Sequence, residues 1–428
     1  MKMQQSPGTR DFLPEQQILR QEIISTLRTY FERFGFSPLD TPGIERFEVL
    51  ASKYAGGSEI LKETFNFRDQ GKRHLALRYD LTVPLARVLA MNKDIRLPFK
   101  RYHIDKVWRD GPVEAGRYRE FMQCDVDAVG SRSMAVEAEI IQLIQKVFSQ
   151  LGLECKVKVN NRKVLNGILR KCGVNSEKHD ETLIALDKLA KTGRANVEKE
   201  LKRAGMSAGQ VKELFGLLET GSSEQSLSRL DQNIDNEEGG QGAEELRQLF
   251  SLLSSRDNVE LDFSLARGLN YYTGTIIETF LQQSSVTSSV CAGGRYDKMI
   301  GDFIGAGAGY PACGVSFGLD RIYDALLEKR KISAKTMVQV FVIPIQSLDK
   351  CLAIAGRLRE NGINTDVDVM ERSISKNLSF AHQQGIPFAL MLGPREAEEG
   401  KVKLRNMKTG KEEVLTIEQA IARIKDEL

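Results

Sequence analysis

Two stretches in the first third of the chain alternate between apolar and polar residues, and this pattern predicts a β-hairpin. Residues 102–107 and 121–128 alternate in this way, as strands do because successive side chains point to opposite faces. The segment between them is rich in Gly, Pro and Arg, which is typical of a loop. Gln123 and Asp127 then share one face of the second strand. A charged hairpin with one solvated face explains the pattern equally well.

Apolar residues recur at helical spacing on both sides of this hairpin. They predict a helix from residue 14 to about residue 34, a second from 81 to 91, and a third that Ser133 caps and that runs to residue 151. Alternation along residues 154–159 predicts another strand. The first part of the chain therefore mixes helices with strands.

The composition changes between about residues 176 and 256, where Lys, Glu and Leu are frequent. Glycine-containing stretches at 221–223 and 237–242 interrupt this segment. We interpret it as a set of short amphipathic helices with mobile joints, inserted into the main domain. Strand-like alternation then returns and continues through Gly-rich stretches. We interpret one of these, GAGAG at 305–309, as a flexible loop and not as a dinucleotide-binding motif.

Strands and helices alternate along residues 336–428, which predicts a separate α/β domain that follows a first domain of residues 1–330. The last helix opens with a capping box formed by Thr416 and Gln419. Five basic residues fall on a predicted hairpin of this domain: Lys401, Lys403, Arg405, Lys408 and Lys411. A solvated charged edge that discourages strand pairing explains them without any contact with RNA.

Composition narrows the class of protein. The chain has 428 residues, of which 41% are hydrophobic and 28% charged, with a formal net charge of +3, as in an ordinary globular protein with a slight basic lean. The six cysteines form no CxxC pair and the four histidines no HExxH motif, so we expect neither disulfides nor a protein-dedicated metal site. The sequence has no apolar run that could span a bilayer and no secretory signal. We therefore expect a cytoplasmic protein without a membrane partner.

Several stretches resemble the signature motifs of one enzyme family in their order and spacing. TPGIE with Pro42, the hairpin with Arg109, and GVSFGLDRI with Arg321 are similar to motifs 1, 2 and 3 of the class II aminoacyl-tRNA synthetases. LARGLNYYTGTIIE and AGGRYD resemble two peptides typical of histidyl-tRNA synthetases. LRYDLTVPLAR and GRYREFMQCDVDAVG resemble the same family. Each short piece is a weak signal, and together they are a strong one.

The resemblance implies an α+β fold in which an antiparallel sheet of six or seven strands is flanked by helices. It also implies a homodimer formed through the motif 1 region. The resemblance further implies that residues 1–330 form the catalytic domain, that residues 176–256 form a helical insertion in it, and that residues 336–428 form an anticodon-binding domain. The implied reaction joins L-histidine to ATP with Mg²⁺, releases pyrophosphate, and passes the histidyl group from its adenylate to the 3′ end of tRNA(His).

Activation of this kind depends on positioning and on stabilising negative charge, which arginines and Mg²⁺ supply. By resemblance, Arg109 holds the substrate carboxylate and the α-phosphate, and Arg267 contacts the α-phosphate from the other side. Arg321 and Arg117 hold the β- and γ-phosphates. A lone arginine is more often a surface ion pair, but four arginines at family positions favour the catalytic interpretation.

Recognition of histidine requires groups that bind an ammonium and both nitrogens of an imidazole. Fixed hydrogen bonds to both ring nitrogens reject apolar amino acids, because the buried polar groups of the site are then left unpaired. Ordinary aromatic packing would also explain Tyr271 and Tyr272, and a solvated strand face would explain Asp127. The resemblance assigns the α-amino group to Asp80, Thr82 and Gln123, the carboxylate to Arg109, and the ring to Asp127, Tyr271 and Tyr272.

The sequence departs from the family pattern at several positions. Gly111 stands where a carboxylate commonly contacts adenine, with Asp110 one residue earlier, so recognition of adenine is open. Asn270 replaces a common Asp, and Asp80 and Asp127 replace the longer Glu. An alternative function is that of a regulatory paralogue of ATP phosphoribosyltransferase, which binds histidine without charging tRNA. Such paralogues typically lack the C-terminal domain and several of the arginines, which this sequence retains.

Overall fold

Eight of the sixteen strands in the described part of the chain belong to one large sheet, which contains the predicted hairpin. The computed structural model describes residues 3–52, 59–113, 117–219, 221–267, 272–304, 310–329 and 335–428. The chain divides into two units, Met1–Arg10 with Ile23–Lys329, and Asp11–Glu22 with Arg330–Leu428. The strands of the first unit are β1 (Ser37–Pro38), β2 (Ile44–Arg46), β3 (Asn66–Arg68), β4 (His74–Leu77), β5 (Phe99–Trp108), β6 (Glu120–Val129), β7 (Cys155–Asn161), β8 (Val259–Leu261), β9 (Thr275–Leu281), β10 (Cys291–Arg295) and β11 (Ala312–Gly318).

The large sheet has eight strands in the order β1-β5-β6-β11-β10-β9-β7-β8. Its six inner strands are antiparallel, whereas β1 pairs with β5 and β8 with β7 in parallel. The expected α+β class with an antiparallel sheet is confirmed, although the sheet has more strands than the six or seven expected. The predicted hairpin is confirmed as β5 and β6, which pair from Phe99↔Val129 to Trp108↔Glu120.

Helices cover the apolar face of this sheet. Phe317 of β11 lies 5.5 Å from Phe31 and 6.0 Å from Phe148, measured between ring centroids, and all three rings are buried. The helices up to residue 171 are α1 (Pro14–Arg33), α2 (Phe47–Ser52), α3 (Glu59–Lys62), α4 (Thr82–Met91), α5 (Ala135–Gln150) and α6 (Arg162–Lys171). Since side chains alternate along each strand, the opposite face carries the polar residues of β5 and β6.

The segment of residues 176–252 is helical, and one prediction for it is wrong. Its elements are a 3₁₀ turn (Ser176–Lys178), α7 (His179–Asp187), α8 (Leu189–Thr192), α9 (Arg194–Arg203), α10 (Ala208–Leu218), α11 (Ser223–Asn233) and α12 (Glu237–Leu252). Residues 237–242, predicted to form a joint, lie inside α12. A Cβ on Gly167 of α6 would lie 2.6 Å from the Cα of Gly239, and one on Gly242 would lie 2.7 Å from the Val164 nitrogen. These glycines permit α6 and α12 to approach closely, which composition alone did not indicate.

The remaining elements complete both units. The first unit ends with α13 (Met299–Ile304) and α14 (Leu319–Lys329). The second contains β12 (Val340–Pro344), α15 (Leu348–Glu360), β13 (Thr365–Val367), α16 (Ile374–Gln384), β14 (Phe388–Leu392), α17 (Pro394–Glu398), β15 (Lys401–Asn406), β16 (Glu412–Thr416) and α18 (Ile417–Glu427). Its sheet has the order β13-β12-β14-β15-β16. The capping box of Thr416 and Gln419 is present, and the short helix α17 was not predicted.

All six cysteines are free and buried. Burial raises the pKa of Cys155 to about 11 and that of Cys172 to about 12. None of the helices in the described part of the chain is long and apolar enough to cross a bilayer.

Candidate active site

A row of paired residues crosses the polar face of the large sheet and forms the floor of the candidate site. The registers place Arg101 of β5 opposite Asp127 of β6, Asp127 opposite Gly314 of β11, and Gly314 opposite Gly294 of β10. Neighbouring strands lie roughly 5 Å apart, so two side chains are followed by two positions without any. The row therefore has a charged end and an open end.

Asp127 is held in place from three sides and is not a solvated strand residue. The Tyr296 hydroxyl donates to its Oδ1, and the Arg101 Nη2 lies 2.7 Å from its Oδ2. The same Nη2 donates to the Leu81 carbonyl at 3.0 Å. A Cβ on Gly314 would lie 2.0 Å from Asp127 Oδ1, so the carboxylate occupies the space that a side chain at that position would need.

Tyr272 lies at the open end of the row. A Cβ on Gly294 would lie 3.1 Å from Cδ1 of its ring, and the ring also packs against an apolar cluster that includes Leu85 and Tyr296. Burial raises the pKa of Tyr272, and nearby acidic groups including Asp127 raise it further. Aromatic packing and proximity to Asp127 are thus both observed. Tyr271 and Asn270 lie outside the described residues, as does the stretch 305–309.

Gln123 lies on the same face of β6 as Asp127, and the oxygen of its amide is an unused hydrogen-bond acceptor among the described residues. Gln123 Nε2 donates to Ser316 Oγ at 2.9 Å, whereas its Oε1 is buried without a hydrogen bond from any described residue. Asp125 lies between Gln123 and Asp127 on the same face and is buried. Burial raises the pKa of Asp125 and is the largest effect on it. The positive charge of Arg101 lowers this pKa, and the negative charge of Asp127 raises it further. Gln123 therefore offers an acceptor to a donor such as an ammonium group.

Asp80 and Thr82 lie at the start of α4. Asp80 is buried, and its Oδ1 accepts a hydrogen bond from the Val83 nitrogen at 3.0 Å, as a helix-capping carboxylate does. Thr82 is the first residue of the helix. Asp80 therefore has a structural role at the start of α4, and its role in binding the α-amino group remains a prediction.

Arg109 follows β5 and is fixed by backbone and ring contacts. Its Nε donates to the Tyr79 carbonyl at 3.1 Å, and its guanidinium carbon lies 5.0 Å from the centroid of the Phe121 ring. Its backbone nitrogen donates to the Arg119 carbonyl at 2.8 Å. These contacts orient the guanidinium where the hairpin loop begins.

Arg267 and Arg321 converge near a buried carboxylate. Arg267 Nη1 lies 3.0 Å from Glu278 Oε1, and Arg321 Nη1 donates to the Ser289 carbonyl at 2.6 Å, while the Ser289 hydroxyl donates to Glu278 Oε1 at 3.1 Å. Burial lowers the pKa of Arg321, and Arg267 and Arg109 lower it further. Arg321 therefore lies within electrostatic reach of Arg267 and of Arg109, which come from separate parts of the chain, and such an arrangement favours a polyanion.

Arg117, like Arg267, forms an ion pair with a carboxylate. Its side chain is half exposed, and its Nη2 lies 2.8 Å from Glu63 Oε1. Glu63 also lies against Gly111, since a Cβ on this glycine would meet the carboxylate at 3.0 Å. In this structure, Arg117 is thus paired with an acidic residue.

Two groups of side chains carry ligand atoms of the kinds that bind cations, and their surroundings differ. Asp40, His103 and Asp105 bring ligand atoms within 4.8 Å of one another, but Arg78 Nη2 already lies 2.5 Å from Asp105 Oδ2. Burial, Arg101 and Arg78 lower the pKa of His103 to about 4, so the local potential is positive and disfavours a cation. Glu278, by contrast, supplies an oxygen ligand of the type Mg²⁺ prefers, beside the arginines.

Sequence reasoning missed several residues of the site. Arg101 and Tyr296 reach Asp127 through the register and the fold, which the alternation pattern did not reveal. The N-terminal segment was also missed: the Gly8 carbonyl accepts from the Arg119 nitrogen at 2.9 Å, and Arg10 Nη2 lies 2.7 Å from Asp320 Oδ1. Positions Gly8 and Arg10 carry no periodic signal. These contacts anchor the base of the hairpin loop.

Comparison with known proteins identifies relatives of the whole chain. A family model described as histidyl-tRNA synthetase matches residues 8–322, and one described as anticodon binding domain matches residues 339–427. Histidine–tRNA ligase 1 of Bacillus cereus is 42% identical over 416 residues, which cover 96% of this chain and 95% of that protein. Histidine–tRNA ligase of Clostridium tetani is 37% identical over 436 residues, covering 98% and 97%.

Solved structures of similar fold agree with these relatives. The crystal structure of histidyl-tRNA synthetase from Nostoc sp. PCC 7120 superposes with a TM-score of 0.88 at 29% identity and full coverage of both chains. A Bacillus halodurans structure described as an ATP phosphoribosyltransferase regulatory subunit/histidyl-tRNA synthetase has a TM-score of 0.76 at 22% identity, covering 90% of this chain and 97% of that one. This second likeness concerns the fold alone.

Proposed function

The chain belongs to the histidyl-tRNA synthetase family and is a histidine–tRNA ligase, and we propose that the polar face of its large sheet carries out both steps of the reaction. In the first step, an oxygen of the histidine carboxylate attacks the α-phosphorus of ATP, and pyrophosphate leaves. In the second, a hydroxyl of the 3′-terminal ribose of tRNA(His) attacks the activated carbonyl, and AMP leaves. The alternative of a regulatory paralogue that binds histidine without charging tRNA is not favoured.

The convergence of Arg109, Arg267 and Arg321 is the observation that carries this proposal. Arg267 and Arg109 each lower the pKa of Arg321, and Glu278 partly opposes them, so each of these two guanidiniums repels that of Arg321. A bound triphosphate relieves this repulsion and places fixed positive charge where the negative charge of the transition state develops. We assign the α-phosphate to Arg109 and Arg267, and the β- and γ-phosphates to Arg321. Arg117 assists Arg321 once it releases Glu63.

The histidine subsite is proposed to extend from Asp127 to Tyr272 over the two glycines of the floor. Asp127 accepts from one ring nitrogen, and Tyr272 donates to the other; the same role is proposed for Tyr271, which lies outside the described residues. The unused Oε1 of Gln123 accepts from the ammonium group. The remaining contacts with the α-amino group and the carboxylate are assigned to Asp80, Thr82 and Arg109.

Further parts of the proposal concern Mg²⁺, assembly and compartment. Mg²⁺ bound with ATP neutralises phosphate charge, and Glu278 is the carboxylate suited to approach it. We propose a homodimer, supported by the exposed edge strand β1 and by Ile44, which is 50% exposed in the segment that resembles motif 1. Buried free cysteines fit a reducing cytoplasm. The second unit is proposed to bind the anticodon of tRNA(His).

Pyrophosphate exchange tests this assignment directly. The protein is incubated with ATP, labelled pyrophosphate and each of the twenty amino acids, and then with total tRNA. We expect exchange with histidine alone, followed by charging of one tRNA species. Exchange with another amino acid, or histidine binding without exchange or charging, would refute the proposal.

A further inference from the structure

Arg101 is a buried cation at the charged end of the floor. Its side chain is 0% exposed, and its Nη2 serves both Asp127 Oδ2 and the Leu81 carbonyl. Its Nε and Nη1 are also buried and make no hydrogen bond with any residue that the structure describes. Burying a guanidinium with so few partners is costly, so its presence beside the carboxylate that reads the substrate ring needs a functional explanation.

A buried histidine lies beside Arg101 on the same strand. His103 lies two residues further along β5 on the same face, is 3% exposed, and neither ring nitrogen makes a hydrogen bond with a described residue. Asp40 and Asp105 lie 3.4 Å and 4.0 Å from its Nε2. Burial and the charges of Arg101 and Arg78 nevertheless lower its pKa to about 4. Burial is the largest of these effects, and the two guanidiniums add to it, so this imidazole keeps its neutral form at pH values where a free imidazole takes up a proton.

We propose that Arg101 is a specificity-determining residue, which restricts the subsite to the neutral imidazole of histidine by neutralising Asp127. A carboxylate without a counter-ion attracts imidazolium, whereas one paired with a guanidinium accepts a hydrogen bond from a neutral ring. The inference rests on the proposed role of Asp127. The other titratable or charged groups near this pair are His103 on β5 and Asp125 on β6, together with Asp80, Tyr272, Tyr296 and Cys313 on neighbouring elements.

The test compares the histidine KM in pyrophosphate exchange between pH 8 and pH 5.5. Because an imidazole protonates near pH 6.5, a site that takes only the neutral ring shows a KM about tenfold higher at pH 5.5 than at pH 8. The analogue 1,2,4-triazole-3-alanine has a far less basic ring, so its KM should stay constant over this range. A flat histidine KM, or an equal rise for the analogue, overturns the inference without any variant.

Variants assign the effect to the charge. Arg101→Met should reduce the rise in histidine KM to less than about threefold, because Asp127 then attracts imidazolium, while Arg101→Lys should retain the steep profile. Asp125→Asn in the same background controls for the neighbouring carboxylate, and circular dichroism verifies folding. An unchanged profile in Arg101→Met overturns the role of Arg101. Absence of histidine-dependent exchange in the parent protein instead refutes the proposed function, so the two failures are distinguishable.

Discussion

Basic side chains cluster in two regions of the molecule, the polar face of the large sheet and the β15–β16 hairpin, and their surroundings differ. On the hairpin, Lys401 pairs with Glu399 at 3.1 Å, and Arg405 with Glu412 at 2.9 Å. Lys411 pairs with Glu413 at 3.0 Å. These pairs are half exposed, and such pairs typically contribute less than about 1 kcal/mol each.

On the large sheet, positive groups are buried or face one another. Arg101 is buried beside Asp127, and burial and two further arginines disfavour the charged form of Arg321, which Glu278 partly favours. The comparison teaches that a count of basic residues does not locate an anion site. Desolvation and the mutual approach of positive groups do locate it, because the cost of both falls when an anion binds.

Arg267→Ala is expected to give the largest effect. Removing this guanidinium takes fixed charge from the developing transition state, so histidine-dependent pyrophosphate exchange should fall by about 10³-fold or more while the protein stays folded. The matched control is Arg405→Ala on the hairpin, which should leave exchange unchanged. Near-normal exchange in Arg267→Ala would remove the distinction between the two regions.

Changes at Asp127 should affect the KM for histidine and the KM for ATP to different extents. Asp127→Ala is expected to raise the histidine KM about 100-fold and the ATP KM little, because a buried partner of the ring is lost. Gly314→Ala should resemble it, since the new Cβ would lie 2.0 Å from Asp127 Oδ1 and displace the carboxylate. Steady-state exchange kinetics with each substrate varied in turn provide the measurement. An equal rise in both KM values would contradict the assignment.

The neutral state of His103 makes stability depend on pH. The folded protein keeps this imidazole neutral down to about pH 4, whereas the unfolded chain protonates it near pH 6.5. The unfolded state therefore binds more protons in this window, and the free energy of unfolding should fall by about 2 kcal/mol between pH 7 and pH 5. Buried carboxyls with raised pKa values act in the opposite direction. The difference between the parent protein and His103→Asn in denaturant titrations isolates the effect, and identical slopes would refute it.

The smallest effect is expected on the hairpin. Lys411→Ala removes an exposed ion pair with Glu413, so the free energy of unfolding should change by less than about 1 kcal/mol. Pyrophosphate exchange should not change at all, because we propose that activation takes place on the large sheet. A large loss of exchange would show that the contrast between the two regions is wrong. Charging assays at several salt concentrations would show separately whether the hairpin contributes to tRNA affinity.

Regular alternation made much of the fold predictable. The β5–β6 hairpin and the capping box at Thr416 depend on local patterns, and both are present. The glycines of α12 were misread, because close packing against α6 is a tertiary property that local composition does not record. The short helix α17 was missed, since a single turn of helix leaves too little periodicity to detect.

The sequence indicated which residues belong to the candidate site better than it indicated how they contact one another. Resemblance to a family pointed to Asp127 and the arginines, and their roles remain proposals. Arg101 and Tyr296 could not be found from the sequence, because their contacts with Asp127 depend on strand register and on residues far apart in the chain. The role of Gly294 and Gly314 could not be predicted either, because it depends on which residues lie opposite them in the sheet.

The buried thiols give both units an internal reporter of opening. Cys124, Cys291 and Cys313 lie in strands of the large sheet, and Cys351 lies in α15 of the second unit. Burial keeps the native thiols away from alkylating reagents and in the unreactive protonated form. Pulsed alkylation followed by peptide mass mapping would therefore time the exposure of each unit independently, in the natural chain and without any added label.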